Sequence, residues 1–400
     1  MAVAESSFIR ERPFLAVAIT HFFVDVLNSS RTLLVAILAV NLGLSNAQVG
    51  IALLLYNVGS SLSQPLFGWL ADRIGARWLV TGGMGWMMFF YGLAATAGDW
   101  PALIALTIAG LGSGAFHPTG TMVASQISDT QRTRATSVFF MSGQLGLFMG
   151  PVLTGLLLGV YGRPGYLILP LLSFTAFMSG WQWLVQKSAR AHGHIHAEEK
   201  VLATACTEPV EVAVSTPPPA ATGRKAILLA IIVLVGSTVS IAATNFAPKL
   251  FTEMGLSPGA VGWLSGLFMM GSAIGGVVGG TLGDRVAGKW VIILGTLGSI
   301  LPVYFYIPAA GPARFTLLLL AGFFAGMPHS ILVLMVQSLL PRRRAMASGL
   351  ALGFMFFSGS VGSYVLGVIA DGVGLAVALQ GTAVLPLIAA LSALFLPKSR

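Results

Sequence analysis

The stretch "NLGLSNAQVG" (residues 41–50) decides the fold, because it returns as "EMGLSPGAVG" (residues 253–262), 212 positions further along the chain. Arg132 returns as Arg344 at the same spacing. Two unrelated segments are not expected to keep a single register over so many residues. The sequence therefore predicts two halves of one design.

The composition is typical of a protein embedded in a lipid bilayer. Of 400 residues, 56% are hydrophobic and only 9% are charged, whereas soluble proteins have about 25% charged residues. Twelve apolar runs are each long enough to cross a hydrocarbon core about 30 Å thick. They lie near 14–39, 46–71, 78–98, 100–124, 134–160, 164–186, 226–250, 258–282, 290–309, 313–338, 345–369 and 374–397. We predict an all-α membrane protein with twelve transmembrane helices in two pseudo-symmetric six-helix bundles.

A polar segment divides the two halves. Residues 187–225 are rich in Pro and Ala and include "STPPPAATGRK" (215–225), a composition that does not form a packed core. We predict an N-terminal bundle (1–186), a cytoplasmic linker (187–225) and a C-terminal bundle (226–400). The "HGHIH" motif at 192–196 is consistent with metal binding, but a solvated linker is the expected reading, and no metal site is predicted.

The basic residues indicate the topology. With the N-terminus inside, eighteen lysines and arginines fall on the cytoplasmic side, and three, Arg163, Lys249 and Arg314, fall outside. This bias places both termini in the cytoplasm and the chain in the inner membrane. The net charge of +9 then reflects membrane orientation, so no nucleic-acid partner is expected. The single cysteine, Cys206, excludes an internal disulfide.

The loop "GWLADRIGARW" (68–78) and its echo "GGTLGDRVAGKW" (279–290) resemble the signature cytoplasmic loop of the major facilitator superfamily. The resemblance implies two bundles that rock about a central cavity, with these loop charges acting as a cytoplasmic gate. The alternative is that the basic residues only hold the loops inside. The predicted gate residues are Gly68, Asp72, Arg73, Gly75, Arg77, Asp284 and Arg285.

The fifth span carries "GQLGLFMGPVLTG" (143–155), which resembles a pattern typical of exporters in this superfamily. Glycines four residues apart allow helices to approach closely, and a proline permits a bend. The alternative is generic glycine packing. We predict a hinge formed by Gly146, Gly150, Pro151 and Gly155.

A narrower resemblance is to the fosmidomycin-resistance branch of the superfamily. The stretches "HFFVD" (21–25) and "GSGAFHPTGTMVA" (112–124) carry its His-x-x-x-Asp and Phe-His-Pro patterns. Thr119 and Met122 replace the carboxylate and the basic residue that usually follow His-Pro, so the branch's substrate is not carried over.

Ionisable residues within a span mark functional sites by default. His21, Asp25 and Asn28 fall within about 60° on a helical wheel, and Asp25 lies near the membrane midplane. We predict that Asp25 carries a proton with help from His21; the alternative is a permanently paired structural charge. Arg31, on the flank of this stripe, either binds an anionic solute or serves as a salt bridge or an interfacial anchor.

Further polar side chains are candidates for a substrate cavity, and each has helix packing as its alternative role. The full predicted set is Arg31, Asn28, His117, Gln144, Asn57, Gln64, Asn245 and His329.

These features predict a proton-coupled secondary active transporter, an efflux antiporter for a small drug-like or metabolite solute. The alternatives are a symporter that imports a small organic anion and, from another class, a membrane sensor without transport. An anion at Arg31 and a proton on Asp25 would favour each other, which suits symport better than antiport. No Walker A motif, nucleophile elbow or HExxH is present, so neither an enzyme nor a cofactor is expected. The expected partners are the solute, protons and the bilayer, with the protein a monomer.

Overall fold

The computed structural model of the protein describes residues 8–126, 132–186, 221–283, 285–337, 339 and 344–397. The first half comprises α1 (Arg12–Asn41), α2 (Asn46–Leu62), α3 (Gln64–Ile74), α4 (Ala76–Thr96), α5 (Asp99–Gln126), α6 (Arg132–Gly165), α7 (Ile168–Leu172), α8 (Phe174–Gly180) and a π-helical turn, Trp181–Gln186. The second half comprises α9 (Ala221–Glu253), α10 (Pro258–Gly283), α11 (Gly288–Phe305), α12 (Gly311–Gly326), α13 (His329–Gln337), α14 (Arg344–Val373), α15 (Leu375–Gly381), a 3₁₀ turn (Thr382–Val384) and α16 (Leu385–Leu394).

The predicted fold class is confirmed. Within the described ranges, ten helical stretches are long and apolar enough to cross a membrane. The consecutive helices α2 and α3 together occupy the second predicted span, and α4 occupies the third, which completes the twelve predicted spans. The ninth helix begins at Ala221, inside the segment assigned to the linker, and residues 187–220, with "HGHIH", lie outside the described residues.

The repeated stretch forms the same tight turn in both halves. Gly43 has φ +62° and Gly255 has φ +78°, a conformation that glycine adopts at little cost. In the first half, Ser45 and Gln48 form a capping box: Gln48 N–H donates to Ser45 Oγ at 3.2 Å, and Ser45 N–H donates to Gln48 Oε1 at 2.9 Å. In the second half, Ala260 N–H donates to Ser257 Oγ at 3.3 Å.

The 212-residue register also holds between packed helices. A Cβ atom at Gly110 would collide with the backbone carbonyl of Tyr56, and one at Gly322 would collide with that of Phe268. Both members of the second pair lie 212 positions after those of the first. The two bundles therefore share a helix-packing scheme as well as a sequence pattern.

Two predicted spans are interrupted. The second is divided at Ser63, where Pro65 enters the first turn of α3. The tenth is divided at Met327 and Pro328, between α12 and α13. Proline lacks a backbone N–H and crowds the preceding turn, so a continuous apolar run does not ensure a continuous helix.

The halves meet along three helix pairs: α6 with α10, α2 with α14, and α1 with α9. At the first, a Cβ atom at Gly155 would lie 2.9 Å from Gly262 Cα, so the helices pack backbone against backbone. These contacts lie toward the end of the molecule that carries loops 42–45 and 254–257.

Candidate functional site

Asp25 lies in the middle of α1, only 6% exposed, between two histidines. His21, one helical turn earlier, places Nε2 3.2 Å from Asp25 Oδ2. His117, from α5, places Nε2 3.4 Å from Asp25 Oδ1. The sequence predicted the first contact from helical spacing, whereas the second joins two spans that are far apart in the chain.

Backbone carbonyls decide how the two imidazoles face the carboxylate. His21 Nδ1 lies 2.7 Å from the Phe139 carbonyl oxygen, and His117 Nδ1 lies 2.9 Å from that of Ser113. A carbonyl oxygen only accepts, so each Nδ1 carries the hydrogen and a neutral ring turns an unprotonated Nε2 toward Asp25. Three electron-rich groups then converge on one another. A proton held between Asp25 and one imidazole satisfies one of the two contacts, so the arrangement favours uptake of a cation between these groups.

The His21, Asp25 and His117 ligand atoms lie within 4.8 Å of one another, so a single cation can contact all three. No metal site is predicted from the sequence. Among the described residues this cluster is where a metal ion would compete with a proton.

Glycines on α6 allow this cluster to be enclosed. A Cβ atom at Gly143 would lie 2.5 Å from the His21 ring and 2.6 Å from Asp25 Oδ2. The ring of His21 stacks on Phe139, with centroids 4.0 Å apart. The close approach of α6 to α1 therefore excludes bulk solvent from one side of the carboxylate.

Asn28 extends the cluster along the predicted stripe. Its Nδ2 donates to Asp25 Oδ1 at 2.9 Å and to Ser113 Oγ at 3.1 Å. Its Oδ1 accepts a hydrogen bond from the hydroxyl of Tyr56. Sequence reasoning missed Tyr56 and Ser113; the only available signal was that Ser113 lies one turn before His117.

Arg31 is not the partner of Asp25. It is 7% exposed and, among the described residues, forms no ion pair. Its guanidinium carbon lies 3.5 Å from the centroid of the Tyr56 ring, and Nη2 donates to Asn57 Oδ1 at 3.1 Å. The space beside it is about 10 Å³, enough for at most one water and too small for a solute.

Asn57 carries this network into the second half, because its Nδ2 donates to Ser360 Oγ on α14 at 2.7 Å. Hydrogen bonds and one cation–π contact therefore connect Asp25, through Asn28, Tyr56, Arg31 and Asn57, to the opposite bundle. Ser360 had no sequence signal, since serine is common in membrane helices.

The other predicted cavity residues are dispersed. Gln144 is exposed, and Gln64 lies in the first turn of α3. Asn245 is 4% exposed and donates to Ser363 Oγ at 3.1 Å, which is a packing contact within the second half. His329 is exposed and lines a cavity in that half.

The gate prediction is only partly covered by the structure. Asp284 and the side chain of Asp72 lie outside the described residues. Gly75 ends α3 with φ +91°, and the Arg73 guanidinium lies 3.9 Å from the centroid of the Trp69 ring. Gly68 and Arg285 stand near the same end of the molecule. The gate remains a prediction.

The predicted hinge glycines form close contacts. A Cβ atom at Gly146 would strike the carbonyl of Phe22, and one at Gly150 would strike Ser29, both on α1. Gly155 packs on the second half, as described above. Pro151 lies within the helix, and the non-helical residue of α6 is Gly162 (φ +64°). A hinge at Pro151 therefore remains a prediction, because this conformation shows the helix continuing through it.

A second polar contact joins the halves near the 42–45 loop. Asp371, on α14, accepts from the backbone N–H groups of Asn46 at 2.6 Å and Ala47 at 3.0 Å. Lys249 Nζ lies 2.7 Å from Asn46 Oδ1 and 2.5 Å from Glu253 Oε1. Within the described ranges, the bonds of Asp371 to Asn46 and Ala47, the bond of Lys249 to Asn46 and the bond of Asn57 to Ser360 join the halves, whereas the Lys249–Glu253 contact lies within α9. The sequence predicts only that Lys249 lies on the outer side, and gives no sign of its bond to Asn46.

Twelve spans in two repeated halves, with a polar cluster buried mid-span, are typical of a polytopic membrane transporter. The chain belongs to the Major Facilitator Superfamily, which matches residues 14–247 and 226–400. This is a transporter family and not an enzyme class. The predicted family is thus confirmed.

The chain is similar to the Fosmidomycin resistance protein of Escherichia coli (strain K12), with 28% identity over 391 residues, 96% of this chain and 92% of that protein. It is also similar to an uncharacterized MFS-type transporter, YfnC, of Bacillus subtilis (strain 168), with 28% identity over 387 residues, 94% of this chain and 91% of that protein. The resemblance to the fosmidomycin-resistance branch therefore extends along nearly the whole chain.

Solved structures share the fold. A bacterial homolog of the human lysosomal transporter Spinster, inward-facing and unoccupied, matches with TM-score 0.72 and 14% identity, covering 95% of each chain. The nucleoside transporter NupG matches with TM-score 0.72 and 15% identity, covering 96% of this chain and 98% of that one. At these identities the likeness concerns the fold alone.

Proposed function

We propose that the protein is a proton-coupled secondary transporter that exports a small drug-like or metabolite solute. The observation that carries the proposal is the position of the Asp25 carboxylate, buried between two imidazoles whose Nδ1 hydrogens are committed to backbone carbonyls. This arrangement binds a proton and changes its hydrogen bonds when the proton leaves. Membrane transporters use buried ionisable groups of this kind as proton relays.

The polar network connects the proton site at Asp25 to a contact between the two halves. Loss of the proton from the cluster leaves the lone pairs of His21, Asp25 and His117 facing one another, and Asn28 responds because it bonds Asp25 directly. Asn28 bonds Tyr56, whose ring faces Arg31, and Arg31 holds Asn57 against Ser360. A change at Asp25 therefore alters a contact between the halves, which is the element that must break when they rock.

The two halves are joined near loops 42–45 and 254–257. If the basic residues orient the chain as predicted, this end faces away from the cytoplasm, both termini lie inside, and the structure represents an inward-open state in the inner membrane. The loops containing Gly68–Arg77 and Arg285 would then close the opposite end in the outward-open state. Alternation between the two states exposes Asp25 to each side in turn.

Export is favoured by the glycine pattern of α6 and by similarity to the Fosmidomycin resistance protein. Symport of an organic anion is the second candidate, and Arg31 favours it, since this buried guanidinium lacks a carboxylate partner among the described residues. The two candidates differ in the direction of the proton gradient that concentrates the solute.

The test uses purified protein in proteoliposomes, with labelled fosmidomycin at the head of a solute panel. An antiporter concentrates the solute when protons flow outward, and a symporter does so when protons flow inward. Asp25→Asn should abolish the gradient-driven component, whereas Asp99→Asn, a matched change at the carboxylate paired with Arg163, should retain it. Gradient-driven uptake by Asp25→Asn equal to that of the unmodified protein would refute the proton-site assignment.

A further inference from the structure

A cavity of about 160 Å³ lies inside the second half, between α9, α10, α11 and the α12–α13 break. Most of its wall is apolar, with Ile232, Leu332 and Phe324 among the lining side chains. Its polar side chains are Ser237, Ser240, Ser272, Thr296, Ser299 and His329. No Asp, Glu, Lys or Arg lines it.

Several residues at this cavity differ in size from the residues at the repeat-related positions of the first half. Four of its lining residues are smaller than the fully buried residues 212 positions earlier, namely Gly236 for Val24, Thr296 for Met84, Ser299 for Met87, and Pro328 for Phe116. Other lining residues are larger than their counterparts, namely Phe324 for Gly112, Leu332 for Gly120 and Met355 for Gly143, so the cavity takes its shape from exchanges in both directions. The cavity is partly open, since the lining residues His329 and Phe356 are exposed.

The same comparison shows a change in polarity. Ser237 stands where the first half has Asp25, and Val233 where it has His21, while His329 keeps the position of His117. The second half has thus lost the proton-binding carboxylate but retained the imidazole. In the described part of the chain, the side chains of His329, Ser240 and Ser272 form no hydrogen bond.

These features indicate the class of molecule that can occupy the cavity. The wall without a carboxylate or basic chain favours an uncharged molecule, since a charge would lose its hydration without gaining a partner. Three unpartnered polar groups offer one or two hydrogen bonds. A cavity of about 150 Å³ accommodates one benzene ring, so the space suits a single ring with small substituents.

We propose that this cavity is a binding site for an uncharged solute built on one ring with one or two hydrogen-bonding groups. The claim that this occupant is the transported solute rests on the proposed function. Binding of the occupant to the cavity is measurable without transport. The two halves then divide the work: the first binds the proton through Asp25, and the second binds the solute around His329.

The test measures binding of 3-fluorophenol to the full-length protein in lipid nanodiscs by ¹⁹F NMR, with fluorobenzene and 3-fluorobenzoate as probes that lack the hydroxyl or carry a charge. Ser299→Met fills the cavity with the residue that the first half uses, and Gly236→Val does so from another helix. Ser265→Met is the matched control, because Ser265 lies on α10 outside the cavity and bonds its own backbone. Size-exclusion profiles and thermal unfolding verify that each variant is folded.

We expect saturable 3-fluorophenol binding that falls at least tenfold in Ser299→Met or Gly236→Val and persists in Ser265→Met, with weaker binding of fluorobenzene and none of 3-fluorobenzoate. Equal binding by the folded cavity-filling variants and the unmodified protein would overturn the proposal. Probe binding without gradient-driven transport of any solute would refute the transport function but not the site. Proton-driven transport without specific probe binding would refute the site alone.

Discussion

The backbone N–H of Asn46, in the first half, donates a hydrogen bond of 2.6 Å to the carboxylate of Asp371, in the second. Asn46 is the first residue of α2, so a carboxylate from one bundle caps a helix of the other. A negative charge at a helix N-terminus is stabilising because the first N–H groups lack partners within the helix. This bond must break whenever the halves separate at this end.

Asp371→Asn should therefore weaken closure at this end. Loss of a negative charge at a helix N-terminus costs about 0.3–1 kcal/mol, so the ratio of closed to open protein should fall by roughly two- to fivefold. Spin labels at Leu42→Cys and Met254→Cys, in a Cys206→Ser background, report the separation of the halves by double electron–electron resonance. We expect a longer-distance component in Asp371→Asn that Asp99→Asn lacks. Identical distance distributions in the unmodified protein, Asp371→Asn and Asp99→Asn would show that the Asp371 carboxylate does not hold this end closed.

His117→Ala should uncouple transport from the proton gradient. The substitution removes one of the two imidazoles that face Asp25. If the solute binds in the second half as proposed, exchange without a gradient does not need this imidazole. We expect gradient-driven accumulation to fall at least tenfold while solute counterflow persists. His329→Ala, the repeat-related change with no carboxylate neighbour, should alter the solute concentration for half-maximal rate and keep the coupling. Loss of coupling in both variants would contradict the prediction, because it would show that coupling does not depend on contact between the histidine and Asp25.

Arg31→Gln separates two roles for the buried guanidinium. In this conformation, the space beside Arg31 does not admit a solute, so its role is to hold Asn57 and the interface. The maximal transport rate should then fall at least tenfold with little change in KM. A large rise in KM at an unchanged maximal rate would instead indicate that Arg31 binds an anionic solute in another state.

Gly143→Ala should destabilise the protein and impair proton coupling, because the added methyl group would displace His21 and Asp25. Overpacking of this kind costs about 1–3 kcal/mol. Gly82→Ala is the matched control: Gly82 is also helical, and a Cβ atom there meets nothing within 4 Å. In thermal unfolding, only Gly143→Ala should melt earlier. An unchanged melting temperature would mean that α6 yields to accommodate the methyl group.

The fold and part of the site could be predicted from local pattern. Apolar runs defined the spans, the repeated "GLS" turn defined the two halves, and helical spacing placed His21 beside Asp25. The breaks at Ser63 and Pro328 were missed because hydropathy does not register the loss of a backbone donor. His117, 92 positions after Asp25, was a candidate without a known partner.

The sequence by itself determined what neighbouring residues and a long repeat encode. These are a transporter fold of twelve spans and the presence of the Asp25 and Arg31 charges in the first half without counterparts at the repeat-related positions. Only the tertiary structure decided that His21 and His117 both face Asp25, that Arg31 faces Tyr56 and not Asp25, that Asp371 caps α2, and that the second half contains a cavity. The physical reason is that these features depend on distances between helices and on the volume that side chains leave unfilled. These distances and volumes depend on how segments far apart in the sequence pack together, and the periodicity of residues along the chain carries no information about that packing.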